Sequence, residues 1–502
     1  MGIKSLLSRP FARLATLHLP AGRNKAIRAQ EKIFRTLLNQ ASGTAFAAEH
    51  GFTGIKTYGD FKKNVPVREY ENFIPYIDRI MAGESHVLWR GRPLYMAKTS
   101  GTTSGVKYIP ITRDSIHNHI RSARNALLMY IRETGRAEFA DGKMIFFSGS
   151  PELEEKNGIY TGRLSGIVNH YVPAYLRKNQ VPSYKTNCIP DWETKVDAIV
   201  EETLHSDMRL ISGIPPWVQM YFEKLEKRTG KKAGELFPRF SLFVYGGVHY
   251  EPYRAQIEKS IGRKVDSIEL YPASEGFIAY QDSQDTEGML LITGEGIFYE
   301  FIPASEYHAA NPSRISLKDV QAGINYALVL STNAGLWGYS IGDTVKFVST
   351  DPYRIIVTGR VKHFISAFGE HVIAEEVEAA LLAAAKDQNI SITEFTVAPQ
   401  VSPPESGLPY HEWFIEFDQQ PADPALFLHT LEQAMISRNI YYRDLLKGNV
   451  LRSLKIRMVQ KNGFISYMKE TGRLGGQNKV PRLSNDRQIA DGLRKFIAGD
   501  ME

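Results

Sequence analysis

Residues Lys98–Pro110 read KTSGTTSGVKYIP. Two glycines, Gly101 and Gly105, stand among hydroxyl side chains, and Lys107 follows them. Glycines let the backbone bend so that successive N–H groups point at one anion, while hydroxyls and a lysine add donors and positive charge. The stretch therefore predicts a phosphate-binding loop. It is not a Walker loop, which has four residues between its glycines and a lysine directly after the second.

A flexible linker is the alternative interpretation, because serine and glycine dominate such linkers. The next residues, Tyr108-Ile109-Pro110-Ile111, are typical of a strand. They favour a hairpin whose tip is the predicted phosphate loop, since a scaffold then holds the loop in place.

The composition is that of a large globular protein. Of 502 residues, 43% are hydrophobic and 23% are charged, which predicts two or three domains. The single cysteine, Cys188, excludes an intrachain disulfide and fits a cytoplasmic protein. No apolar run reaches the length of a membrane span. The 61 basic and 55 acidic residues are interleaved, which argues against nucleic-acid binding. An anionic small substrate or solubility is the favoured reason for the net charge of +6.

The first thirty residues carry basic side chains and no acid before Glu31, a composition shared with transit peptides. The pattern continues into a segment in which Ile27, Phe34, Leu37 and Leu38 share one helical face. We therefore expect an amphipathic helix docked on the body of the protein.

Helices and strands alternate in the next part of the chain. The sequence predicts helices over 113–131, 191–206, 217–228 and 252–261, and strands over 144–148, 208–214, 242–245 and 264–270. This alternation predicts a mainly parallel sheet covered on both faces, with ligands at the carboxyl ends of its strands. From Gly288 the spacing becomes typical of antiparallel strands, predicted over 289–293, 297–302, 325–331, 343–348 and 354–357.

The stretch Tyr271-Pro-Ala-Ser-Glu-Gly directly follows a predicted strand, which places Tyr271, Ser274 and Glu275 at the ligand-binding edge. A phenol ring there can lie flat on a purine, and a carboxylate beside a phosphate loop is a usual way to hold Mg²⁺. A turn with a surface glutamate is the alternative.

Residues 332–343 read TNAGLWGYSIGD and end in Gly342-Asp343 just before another predicted strand. A carboxylate fixed by a glycine turn can accept both hydroxyls of a ribose. An ordinary turn aspartate is the alternative.

These motifs, taken in order, resemble one superfamily. TSGTTSGVK, YGG at 245–247, YPASEG, YSIGD and GRVKHFISAFGE at 359–370 are similar to motifs of the adenylate-forming enzymes, which include acyl-CoA synthetases, peptide-synthetase adenylation domains and luciferase. The sequences of three motifs most resemble the auxin-responsive acyl acid amido synthetase family, namely YPASEG, TNAGLWGYSIGD and QNKVPR at 477–482.

The resemblance implies that the protein binds ATP and Mg²⁺. The residues implied for the ATP phosphates are Ser100, Gly101, Thr102, Thr103, Gly105 and Lys107. Those implied for the adenine slot are Tyr245, Gly246, Gly247 and Tyr271, with Ser274 a further nucleotide-binding residue. Glu275 would bind Mg²⁺, and Asp343 and Arg360 would hold the ribose. The catalytic residues would be Lys479, Lys107 and Glu275.

The resemblance also implies a division into two domains. Residues 1–361 would form the large α/β domain that binds ATP and the acyl substrate, with mixed sheets and a β-subdomain. Residues 362–502 would form a small mobile α/β domain that carries Lys479, with its hinge at Lys362. The sequence agrees with the small domain, because it predicts helices over 375–386 and 424–437 and strands over 395–397, 412–417 and 454–459.

Two positions depart from the family pattern. Ser340 stands where plant members have an arginine, which affects the contacts expected on the ribose side, and Ser366 stands where many acyl-CoA synthetases have a lysine. The leading expectation is an ATP-dependent ligase that adenylates a carboxylic acid and transfers the acyl group to an amino acid. An acyl-CoA ligase and a nucleotide-binding protein without turnover are the alternatives. No obligate protein partner is expected.

Overall fold

The computed structural model describes most of the chain. The described residues are 2–17, 19, 22–100, 106–172, 177–247, 250–307, 309, 311–361, 364–365, 370, 372–401, 403–404, 408–447, 450–474, 479–484 and 486–501. Five predicted site residues lie outside the described part of the chain, namely Gly101, Thr102, Thr103, Gly105 and Lys362. The backbone of Ser100 is described, but its side chain is not. Ser366 also lies outside the described residues.

The chain divides into two compact units. The first contains Met1–Val248 and Ser260–Val357, and the second contains His249–Lys259 and Thr358–Glu502. The domain assignment made from the sequence, with a hinge at Lys362, stays a prediction.

The described α-helices are α1 Ile3–Thr16, α2 Arg23–Ala41, α3 Ala45–Glu49, α4 Tyr58–Asn64, α5 Ile74–Met81, α6 Ile116–Thr134, α7 Leu164–Asn169, α8 Tyr184–Asn187, α9 Trp192–Thr203, α10 Pro215–Thr229, α11 Ala233–Leu236, α12 Glu251–Ile261, α13 Ala374–Asp387, α14 Pro424–Arg438, α15 Ile440–Lys447, α16 Gly463–Glu470 and α17 Gln488–Leu493. Short 3₁₀ helices are Phe52–Gly54, Tyr70–Phe73, Glu138–Asp141, Ala304–Glu306, Leu317–Asp319 and Arg494–Phe496. No helix in the described part of the chain is long and apolar enough to cross a bilayer.

The described strands are β1 Tyr95–Ser100, β2 Val106–Ile111, β3 Lys143–Phe146, β4 Glu154–Lys156, β5 Ile159–Gly162, β6 Gln180–Val181, β7 Met208–Ser212, β8 Leu242–Gly246, β9 Asp266–Ala273, β10 Gly276–Tyr280, β11 Met289–Leu291, β12 Ile297–Pro303, β13 Ile315–Ser316, β14 Asn325–Thr332, β15 Tyr339–Thr350, β16 Tyr353–Arg360, β17 Phe364–Ile365, β18 Val372–Ile373, β19 Ile392–Gln400, β20 Tyr410–Phe417, β21 Lys455–Val459 and β22 Ile497–Met501.

One sheet contains twelve strands, in the order β13-β12-β14-β15-β16-β11-β10-β9-β8-β7-β3-β6. Strands β6, β3, β7, β8 and β9 pair in parallel, as the alternating pattern predicted. Strands β12, β14 and β15 pair antiparallel, which confirms the change of pattern in the later part of the chain. Helix α9 begins at an N-cap, because the Asp191 carboxylate accepts a hydrogen bond from the Thr194 N–H at 2.9 Å.

The change from parallel to antiparallel pairing comes earlier than the sequence predicted. Strand β10 already returns antiparallel to β9, well before Gly288. The prediction that Tyr271 follows a strand is also wrong, because β9 continues through Ala273. All five residues of β10 are buried. The alternation that marks a half-buried strand is therefore absent from its sequence.

The hairpin predicted around the phosphate loop is confirmed. Strands β1 and β2 pair antiparallel, with Ser100 opposite Val106 and Thr99 opposite Lys107. They belong to a four-stranded sheet in the order β2-β1-β5-β4. The segment 101–105 that joins them lies outside the described residues.

The amphipathic helix predicted near the N-terminus is α2. Its Leu37 and Leu38 are buried in the core of the first unit, and Ile27 and Phe34 pack against that core. The Phe34 ring centroid lies 4.9 Å from that of Phe298 on β12. Burial of this apolar face holds α2 on the body of the protein.

The second unit has its own sheet, in the order β19-β20-β21-β22. Strands β20 and β21 are parallel, and the other two pairs are antiparallel. The helices α13 and α14 and the sheet share a core that includes Val377, Phe427 and Trp413, the last fully buried. The helices and strands predicted for this α/β domain are confirmed.

Candidate functional site

Lys107 leaves the predicted phosphate loop on β2, and Tyr70 supports it. The Lys107 ammonium lies 5.2 Å from the centroid of the Tyr70 ring. The Tyr108 N–H donates a hydrogen bond to the Tyr70 hydroxyl at 2.8 Å. A cation on an aromatic face is stabilised by the ring quadrupole, so Tyr70 both orients the lysine and ties down the strand that carries it. Tyr70 was not predicted as a site residue, since only the fold brings it to β2.

The turn between β9 and β10 holds Ser274 and Glu275, both of which are buried. Asn118 on α6 clamps this turn, because its side-chain oxygen accepts from the Phe277 N–H at 2.6 Å and its amide donates to the Phe277 carbonyl at 3.2 Å. Asn118 was not predicted as a site residue either. No local pattern marks it, because the buried face of α6 also carries the polar residues His119, Ser122 and Asn125.

Two hydrogen bonds join β9 and the turn after it to β15. The Tyr271 hydroxyl donates to the Asp343 carboxylate at 2.5 Å. The Tyr339 hydroxyl donates to Oε1 of Glu275 at 3.1 Å. The structure therefore brings together Tyr271, Asp343 and Glu275, which the resemblance implied for adenine, ribose and Mg²⁺.

The prediction that Asp343 ends a glycine turn before a strand is wrong. Strand β15 begins at Tyr339, so Asp343 lies within it. The register with β14 pairs Ser340 with Val329 and Thr344 with Ala327, so that the three residues 341–343 stand opposite one residue of β14. Gly342 has a φ of +83°, which favours glycine. The resulting bulge, rather than a turn, sets the position of Asp343.

The stretch Tyr245-Gly246-Gly247 lies at the carboxyl end of β8, where the parallel-sheet rule places ligands. Tyr245 is buried, and its ring centroid lies 5.4 Å from that of Phe243. A Cβ at Gly246 would overlap the Leu270 carbonyl of β9. Close approach of the neighbouring strand thus requires glycine at 246.

Arg360 and Lys479 belong to the second unit. Arg360 ends β16, and the Lys479 side chain is exposed. The residues after Lys479 are fixed along β19, because Val397 exchanges backbone hydrogen bonds with Arg482 and Ser484 at 2.9 and 3.0 Å. The hydroxyl of Thr396 also donates to the Pro481 carbonyl at 2.7 Å.

Arg482 anchors that segment in a buried cluster. Its guanidinium pairs with Glu378 at 3.1 Å and with Glu394, and it donates to the Tyr253 hydroxyl at 2.8 Å. It also lies 4.7 Å from the centroid of the Phe395 ring. Burial alone would lower the pKa of Arg482, but the neighbouring Glu394, Tyr253 and Glu378 raise it above its ordinary value. The charge is therefore permanent and compensated.

Among the described residues, no group of three or more histidine, cysteine or acidic side chains is arranged to hold a metal ion. Glu275 alone is nevertheless compatible with Mg²⁺. This ion is commonly bound by one or two carboxylates together with the phosphates of a substrate.

Three domain models of the GH3 family match the chain. The GH3 family N-terminal domain matches residues 21–186, the central domain 290–360 and the C-terminal domain 375–488. Together they cover well over half of the sequence.

Named relatives match along most of their length. The chain is 22% identical to jasmonoyl–L-amino acid synthetase JAR4 of Nicotiana attenuata, with 90% of each chain covered. It is 21% identical to indole-3-acetic acid-amido synthetase GH3.3 of Arabidopsis thaliana, with 90% of this chain and 88% of that relative covered.

Solved structures share the fold. The AtGH3.15 acyl acid amido synthetase in complex with 2,4-DB matches with a TM-score of 0.79 at 16% identity, over 100% of this chain and 98% of that one. The 2-hydroxyisobutyryl-CoA ligase in complex with 2-HIB-AMP matches with a TM-score of 0.59 at 14% identity, over 94% and 92% of the two chains. The resemblance implied by the motifs is therefore confirmed at the level of family and fold.

Proposed function

Because the chain belongs to the GH3 family, we propose that it is an ATP-dependent acyl acid amido synthetase. It activates a carboxylic acid as its adenylate, with release of pyrophosphate, and then transfers the acyl group to the amine of an amino acid. The observation that carries the proposal is the pair of hydrogen bonds that joins β9 and the turn after it to β15, Tyr271 to Asp343 and Tyr339 to Glu275. These bonds preorganise the side chains proposed for the nucleotide.

In the first half-reaction, an oxygen of the substrate carboxylate attacks the α-phosphorus of ATP and the bond to the pyrophosphate oxygen breaks. The stretch Tyr245-Gly246-Gly247 and Tyr271 are proposed to hold the adenine, with Ser274 beside them, and Asp343 and Arg360 the ribose. The hairpin loop 100–105 and Lys107 are proposed to bind the phosphates. Mg²⁺ bound at Glu275 would neutralise part of the phosphate charge. Donors that are already oriented stabilise the charge that builds in the transition state without reorganising.

Lys479 is proposed as the catalytic lysine of this step, with its charge directed at the developing negative oxygens. Its segment is fixed along β19 by Arg482, so its position is determined by the fold of the second unit. We propose Lys362 as the hinge about which the small domain moves between the two half-reactions. The amine of the second substrate then attacks the acyl carbon, AMP leaves and an amide forms.

The proposed chemistry also bears on location. ATP is available in the cytoplasm, and the single cysteine, Cys188, fits a reducing compartment. We propose that the reaction takes place in the cytoplasm.

The test is pyrophosphate release by the purified protein with ATP and Mg²⁺, over a panel of aryl, indole and fatty acids. Each acid is assayed alone, with mixed amino acids and with CoA. We expect release that depends on an acid and increases with amino acids, together with an amide product detected by mass spectrometry. An increase in pyrophosphate release with CoA alone would instead identify an acyl-CoA ligase. No release with any acid, although ATP binds, would indicate a nucleotide-binding protein without turnover.

A matched pair of variants links this activity to the site. Glu275→Gln keeps the shape of the side chain but removes the charge proposed to hold Mg²⁺, so we expect a loss of about a hundredfold in acid-dependent pyrophosphate release. Glu226→Gln, an exposed position on α10, serves as the control. A Glu275→Gln enzyme as active as this control would contradict the role of Glu275.

A further inference from the structure

Helix α1 lies on the first unit through its small side chains. Ser5, Ala12 and Thr16 are buried, and Ala12 belongs to a core cluster with residues of α6. The Ser5 N–H donates to the Asp141 carboxylate at 3.1 Å. At the other end of the helix, Arg132 of α6 donates to the carbonyl and the hydroxyl of Thr16 at 3.3 and 3.2 Å. The inward face of α1 is therefore both packed and hydrogen-bonded.

The large apolar side chains of α1 and of its C-cap residue Leu17 point outward. Each of six such residues is between 52% and 78% exposed: Ile3, Leu6, Leu7, Phe11, Leu14 and Leu17. Among the other described residues, only Tyr184 and Val401 are large apolar side chains exposed by more than half. At about 100° per residue the six form one continuous stripe, opposite the buried face. A contiguous apolar surface of this kind marks an interaction site.

Cations flank this stripe. Lys4 and Arg13 are exposed and lie on its two edges by the same helical spacing. Arg9 faces the body of the protein, where it pairs with Glu138 at 3.0 Å. The first acid of the sequence is Glu31, so α1 itself has none.

We propose that α1 binds flat to an anionic phospholipid surface, with its apolar stripe in the acyl-chain boundary and Lys4 and Arg13 at the lipid phosphates. Apolar insertion flanked by basic side chains is the chemistry by which interfacial helices recognise anionic membranes. A second copy of the chain is a poorer occupant, because two such helices would bring their cationic edges together with no acid between them. This inference is independent of the proposed enzymatic activity.

The experiment is flotation of the full-length protein with vesicles of phosphatidylcholine alone and of phosphatidylcholine with phosphatidylglycerol. We expect binding to the anionic vesicles that weakens as salt is raised. The double variant Leu7→Gln/Leu14→Gln should lower the partition coefficient at least about tenfold, because two inserted side chains are lost. Val401→Gln, an exposed apolar position just after β19, is the matched control and should bind as the parent does.

A second pair of variants tests the charges. Lys4→Gln and Arg13→Gln should each lower the partition coefficient about fivefold on anionic vesicles and leave any binding to neutral vesicles unchanged. Circular dichroism and the unfolding midpoint should match the parent for all these variants, since the residues are exposed.

The proposal is overturned if the protein binds neither vesicle, if it binds both equally, or if the leucine variants bind as the parent does. Light scattering coupled to size-exclusion chromatography tests whether a second copy of the chain covers the stripe instead. A parent dimer that becomes monomeric in the leucine double variant would show that a second copy covers the stripe, and would also overturn the proposal.

Discussion

Replacing Arg482 with methionine should destabilise the second unit and also slow adenylation. Methionine keeps most of the length of the side chain but removes its charge. The side chains of Glu378 and Glu394 are only 12% and 13% exposed, so they would lose their cation in a largely dry site. Removing one partner of a buried ion pair typically costs about 3–5 kcal/mol in the free energy of unfolding.

The measurement is urea unfolding of the parent and of Arg482→Met at pH 7. Arg228→Met, which breaks an exposed ion pair with Glu201, is the matched control and should cost less than about 1 kcal/mol.

The kinetic measurement separates positioning of Lys479 from simple loss of stability. Below the unfolding transition, acid-dependent pyrophosphate release should fall by about tenfold to a hundredfold in Arg482→Met, since a misplaced catalytic group costs that much. Aminolysis of a supplied acyl adenylate should remain near the parent rate. Stability within about 1 kcal/mol of the parent, together with unchanged pyrophosphate release, would refute the anchoring role.

Three further predictions follow from burial and close contact. The ring of His119 is buried, and burial lowers its pKa to about 4. The free energy of unfolding should therefore fall by up to about 3 kcal/mol as the pH drops from 6.5 towards 4, because the unfolded histidine takes up a proton there and the folded one does not. His119→Gln should remove this dependence in urea titrations at pH 7.5 and 4.5, and an equal change of stability with pH in parent and variant would count against it. Tyr271→Phe deletes the hydrogen bond to Asp343 and should raise the KM for ATP about tenfold; an unchanged KM would separate this bond from nucleotide binding. Gly246→Ala should lower stability by about 1–3 kcal/mol, because the new methyl group meets the backbone of the neighbouring strand, whereas Gly43→Ala, with open space around it, should cost little in the same thermal melts.

The sequence predicts the parallel part of the twelve-stranded sheet and the second unit well. Their helices and strands alternate regularly along the chain, and caps such as Asp191 depend only on neighbouring residues. Strand β10 was missed because all its residues are buried, so its pattern lacks the alternation of a half-exposed strand.

The site was predicted only in part, and the reason is its long-range geometry. The motifs pointed to Tyr271, Glu275 and Asp343, but Tyr70 and Asn118 reach the site through contacts with residues 38 and 159 positions away. Neither belongs to a local pattern. The bulge that places Asp343 depends on the register of β14 against β15, which two separate stretches of sequence do not reveal.

The two ends of the twelve-stranded sheet protect that sheet from pairing with another molecule. Each edge strand, Ile315–Ser316 and Gln180–Val181, is only two residues long. An edge this short offers few unpaired backbone groups to which the strand of another molecule could add. A sheet of twelve strands can therefore end without a long template for fibril growth at either side, and lengthening either edge strand would put this protection at risk.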